Sequence, residues 1–112
     1  MGGNQITAIE RTAYPQFKQH PTAKELAELY TPTKEEIQFV NAKAHGNNGR
    51  LSLLVMLKAF QRLGYFPHPD FVPLPIINHL RSILKLSAKV SAIPSLRSRR
   101  RYTEAIRAYG VA

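Results

Sequence analysis

The chain of 112 residues has no cysteine and no tryptophan, and sets only seven Asp and Glu against sixteen Lys and Arg. Without thiols there is neither a disulfide framework nor a thiolate metal site. Small secreted scaffolds are usually rich in disulfides, so a cytoplasmic setting is expected. A long apolar run is also missing. The longest, Leu51 to Leu57, has Ser52 inside it, against the ~20 residues a membrane-spanning helix needs. The opening Met-Gly-Gly-Asn-Gln has neither the basic nor the apolar region of a signal peptide. Residues 1–5 read as a disordered lead-in or vector-derived residues ahead of a domain over 6–112.

The scarcity of acids also restricts chemistry. Metal-dependent strand cleavage needs carboxylates converging on divalent cations, yet everything after Leu57 offers only Asp70 and Glu104. Glu25, Glu28, Glu35 and Glu36 fall in or near helix first turns, where capping accounts for them. His20, His45, His68 and His79 have no metal-motif spacing. The Gly46 to Gly49 stretch lacks the Lys-Ser/Thr sequel of a phosphate loop. No catalytic residue, metal, cofactor or small-molecule substrate is therefore expected, and membrane attachment is disfavoured.

What is present is enough for one folded domain, with 44% hydrophobic and 21% charged residues. The net charge is +9 and unevenly placed. Residues 1–57 hold six basic and five acidic side chains, whereas 58–112 hold ten and two, so that +8 lies in the second part. Such an asymmetry points to an anion-binding face.

Three Ser/Thr-x-x-Glu patterns, Thr7…Glu10, Thr22…Glu25 and Thr33…Glu36, predict short helices over about 8–14, 23–30 and 34–44. With Asn48 as N-cap, a fourth is predicted over about 49–63, apolar nearly all round in its first half, with Gly64 beyond its end and Lys58, Gln61 and Arg62 as its polar stripe. A proline-rich connection follows, with Tyr65, Phe66 and Phe71 as expected anchors. Pro75 suits the first position of a fifth helix, about 76 to 84 or 86. The last is predicted over about 98–108, held to the core by Tyr102, Ile106 and Tyr109. No credible strand remains, so the expected fold class is all-α, a compact bundle of five or six short helices, helix-turn-helix-like.

Arg97, Arg99, Arg100 and Arg101 are expected in or just before the first turn of the last helix, where the helix dipole disfavours cations by ~0.3–1 kcal/mol each. An anion seated there would relieve that penalty. Arg107 follows two turns after Arg100. Lys58 and Arg62, with Arg81, Lys85 and Lys89 at fourfold spacing, supply further candidate phosphate clamps. Arg99, Arg100 and Arg101 are the candidates for bidentate contact with guanine.

The order Leu26…Leu29-Tyr30, Thr33…Glu36, Asn48-Gly49-Arg50-Leu51…Leu54…Leu57, Leu63-Gly64-Tyr65-Phe66-Pro67, Val72-Pro73 and Arg99-Arg100…Ile106-Arg107…Tyr109-Gly110 resembles the N-terminal domain of the Tn-three family of replicative transposases. The similarity runs from Ile6 to the end, with a poorer match over 90–96 and Leu96-Arg97-Ser98 where the family usually has Thr-Arg. The resemblance implies recognition of double-stranded DNA at transposon terminal inverted repeats in the bacterial cytoplasm, at the nucleoid. It also implies that the remainder of a longer, DDE-type transposase carries the chemistry elsewhere. The DNA-binding candidates are thus Arg97, Arg99, Arg100, Arg101 and Arg107, backed by Arg81, Lys85, Lys58 and Arg62. The alternative is a protein–protein interaction module, within the transposase or with an acidic partner.

Overall fold

A computed structural model describes residues 17–109, and among these the chain is entirely helical. The five α-helices are α1 (Ala23–Tyr30), α2 (Lys34–Lys43), α3 (Gly46–Leu63), α4 (Leu74–Ile83) and α5 (Leu96–Ala108), with one 3-10 turn at Pro69–Phe71. The helix predicted over 8–14 lies outside the described residues.

Local chemistry sets the first two helices. Thr22 and Thr33 each accept from the backbone N–H three residues on, while Glu25 and Glu36 reach back to the cap N–H, so both capping boxes are closed. Helix α3 is the core of the domain. Its residues 51–59 are all buried, because α2, α4 and α5 pack around it while α1 packs on α4. Leu51, Leu53, Leu54 and Leu57 are fully inaccessible, and each contributes about 1.5–3 kcal/mol through burial. The helix ends at Gly64, whose φ of 83° is the left-handed conformation glycine adopts without penalty.

Several expected boundaries move. Helix α3 begins three residues earlier than predicted, with His45 at the N-cap and no side-chain cap. Asn48 does not cap it; its Oδ1 instead accepts from the Ser91 N–H at 3.0 Å and ties in the segment before α5. Pro73, not Pro75, occupies the entry to α4. The last helix begins at Leu96, because Ser95 accepts from the Ser98 N–H at 3.1 Å and caps it two residues ahead of expectation. Of the expected loop anchors Phe66 packs on the core, stacked 4.4 Å from Phe60. Phe71 is 72% exposed.

Candidate nucleic-acid interface

Helix α5 carries the basic sequence and is oriented by two side chains. Tyr102 and Ile106, four residues apart, are buried against the core, and Tyr109 lays its ring 4.3 Å from that of Phe39. At about 100° per residue, Arg97, Arg100, Arg101 and Arg107 fall in an arc of roughly 120° centred opposite that seam. All four are exposed. The ion pairs among the described residues are Lys18–Glu25 and Lys58–Glu36, with His68 beside Asp70 at 3.5 Å, so no described carboxylate is paired with the arc. Glu104, on the same outward side, makes no ion pair with it.

Two of these arginines are held by aromatic rings. The Arg101 guanidinium lies 5.4 Å from the centroid of Tyr102, and that of Arg107 lies 5.4 Å from the centroid of Phe66. Such stacking limits the rotamers of an otherwise free side chain and leaves its N–H edge directed to solvent.

The earlier start of α5 changes the electrostatics expected of the cluster. Arg97 alone occupies the first turn; Arg99, Arg100 and Arg101 sit in the second, where the dipole has largely faded. The crowding that remains is mutual, among like charges on one face.

Not every expected contact joins the arc. Arg99 turns inward, and its Nη2 donates to the carbonyls of Phe66 and Pro67 at 3.3 Å each. It fastens α5 to the loop after α3. Lys58 is 6% exposed and donates to Glu36 Oε1 at 2.7 Å, so its charge is neutralised inside the protein and is withdrawn from any phosphate. Gln61 closes the same network, donating to Glu36 Oε2 at 2.6 Å and accepting from Lys58 at 3.1 Å. Burial tends to raise the Glu36 carboxyl, but Gln61, Lys58 and the Thr33 N–H outweigh it and hold the group below its ordinary value.

The stripe expected from Arg81, Lys85 and Lys89 does not form. Arg81 donates to Asn78 Oδ1 at 2.6 Å and to the Val90 carbonyl at 3.0 Å, bracing the chain that leads to α5. Helix α4 ends at Ile83, and Lys85 follows at a φ of 59°. Lys85 and Lys89 are exposed but belong to turns. Arg62, exposed in the last turn of α3, acts on the Tyr30 phenol, which burial pushes upward and the Arg62 charge and hydrogen bond draw back.

Sequence reasoning missed a polar cleft of about 370 Å³ where α5 crosses the start of α3, walled by His45, Gly49, Ser98, Arg101 and Tyr102 among others. No local signal marks it, because its walls are 50 residues apart. Among the described residues no group of three or more His, Asp or Glu side chains is placed to hold a metal ion, and no helix is long and apolar enough to cross a membrane.

Residues 6–111 match the model of a protein family described as a domain of unknown function, DUF4158. No curated protein and no solved structure matches the chain.

Proposed function

The chain belongs to the DUF4158 family, and we propose that it is a non-catalytic module binding double-stranded DNA. The observation that carries this reading is the outward arc of Arg97, Arg100, Arg101 and Arg107, four exposed residues with no carboxylate partner among the described residues, on a helix whose opposite side is locked to the core. A duplex lying along α5 would meet positive charge at both ends of the helix, from Arg97 in the first turn to Arg107 in the last. Phosphate contacts of this kind supply most of the affinity and its salt dependence.

The finer proposal follows from the resemblance to Tn-three family transposases. The DNA recognised is the transposon's terminal inverted repeat, and the module positions the remainder of a longer transposase whose active site lies elsewhere. Arg100 and Arg101, the arc residues of the second turn, are the candidates for a bidentate guanine contact.

A second reading has one observation in its favour. Leu96, at the start of α5, is 88% exposed, and Phe71 and Leu74 also present apolar surface. A protein partner with an acidic rim would cover such exposed apolar residues.

Gel-shift titrations with an inverted-repeat duplex and a scrambled duplex at physiological salt separate the two. Preference for the repeat by at least about tenfold, modest beside the ~10³ or more of full specific binders, supports the DNA reading. Weak and equal binding of both duplexes supports the protein-interaction reading.

A further inference from the structure

The cleft between α3 and α5 has the features of a site for an oxyanion. Two helix starts meet there: α3, whose first-turn amides have no capping side chain, and α5, which contributes Ser95 and Ser98. Among the described residues its lining contains no Asp or Glu, while Arg101 brings a positive charge and His45 an imidazole. Both helices are long enough to concentrate positive potential at their N-termini, of 18 and 13 residues.

The phenol of Tyr102 points to an occupant. The residue is 2% exposed and lines the cleft, and its hydroxyl has no hydrogen-bond partner among the described residues. It stands so close to the start of α3 that a Cβ on Gly49 would come within 2.7 Å of it, so glycine is what permits the approach. The hydroxyl itself is not sealed from solvent, so a ligand seated in the cleft would take the place of water at it. Arg101, its guanidinium 5.4 Å from the centroid of the same ring, also lines the cleft.

We propose that this cleft binds a phosphate group, held by the Tyr102 hydroxyl, the Arg101 guanidinium and the first-turn amides of α3. Arg101 is the edge of the outward arc nearest to Tyr102, so a backbone running along α5 passes the mouth of the cleft. The inference rests on the DNA reading for its natural ligand, a phosphodiester of the duplex; a free phosphate monoester has the same chemistry.

The test uses the whole chain, labelled for amide NMR, titrated separately with inorganic phosphate and with duplex DNA at constant ionic strength, as wild type and as Tyr102→Phe. The variant keeps the ring, and its amide spectrum checks the fold. Phosphate is expected to shift the amides of Asn47 to Gly49 and of Arg97 to Ser98, with affinity reduced at least about fivefold in Tyr102→Phe. Duplex affinity should fall by a similar factor with the salt slope unchanged, since no charge is removed. Phosphate shifts in a chain that fails to bind duplex would keep the cleft, as a free-phosphate site, and overturn the DNA reading. Duplex binding indifferent to Tyr102→Phe, with no phosphate shift at these amides, would overturn the cleft and leave the DNA reading standing.

Discussion

Lys58 Nζ lies 2.7 Å from Glu36 Oε1, with both side chains almost fully withdrawn from solvent. The pair joins α3 to the first turn of α2, and the same carboxylate closes the α2 capping box. Replacing one partner strands the other as a buried charge, which costs about 3–5 kcal/mol. Glu36→Gln is therefore expected to lose about 3 kcal/mol or more in urea denaturation. Lys58→Met should also be destabilising, yet leave the salt slope of duplex binding unchanged in the folded protein. A reduced slope in Lys58→Met would return Lys58 to the interface.

Acid should weaken the fold by a definite route. The folded value of Glu36 is lowered from 4.5, so its ionised form is the one the folded state prefers. That contribution is complete above the ordinary carboxylate value and is lost as pH falls through the folded value. His79 is lowered from 6.5 by burial, its Nε2 lying 3.0 Å from Thr31 Oγ1. A depressed histidine also favours the folded state at higher pH, and its contribution declines as pH falls below about 6.5. Melting temperature should thus decline in two stages, the first beginning near the histidine range and the second below the carboxylate range. A Glu36→Gln variant retaining the second stage at full size would contradict the assignment.

Arg99 is expected to behave as a structural residue. Its two carbonyl contacts hold the Phe66–Pro67 loop against α5. Arg99→Ala should lower stability by about 1–3 kcal/mol, the range for hydrogen bonds made by a charged group. Under folding conditions it should alter duplex affinity far less than Arg100→Ala. An equal loss of affinity in the two variants would show that Arg99 faces DNA.

Lys85 ends α4 in the left-handed region at φ 59°, with its N–H donating to the Ser82 carbonyl and the next N–H, of Leu86, to that of Arg81. This is a Schellman arrangement with lysine where glycine is usual. Lys85→Gly is expected to raise stability by about 0.5–1 kcal/mol, relief of backbone strain exceeding the entropy glycine adds to the unfolded chain. Thermal denaturation showing a loss of similar size would mean that the lysine side chain stabilises the turn.

What could be read in advance follows the range of the interactions. The Thr22–Glu25 and Thr33–Glu36 boxes, the Gly64 stop and the buried run after Leu51 are local, and each appears where its pattern placed it. Lys58 misled because its partner is 22 residues away and only tertiary packing brings Glu36 to it. Arg99 was legible in principle. It stands three residues before Tyr102 and seven before Ile106, which puts it on the buried side once the helix register is known. A start near Ser98 leaves Arg99 at the helix end, whereas Ser95 caps the helix and Arg99 lies within it. The Tyr102–Gly49 approach joins two helices distant in sequence and has no pattern of its own.

The most direct measurement is the salt dependence of duplex binding, by fluorescence anisotropy, for the wild-type chain and for Arg97→Gln/Arg100→Gln/Arg101→Gln/Arg107→Gln. Each phosphate contact contributes about 0.9 to the slope of log K against log salt. Loss of all four should flatten the slope by roughly three to four, with the melting temperature nearly unchanged because all four side chains are exposed. A quadruple variant that binds duplex with wild-type affinity and slope would show that the outward face of α5 is not where DNA sits.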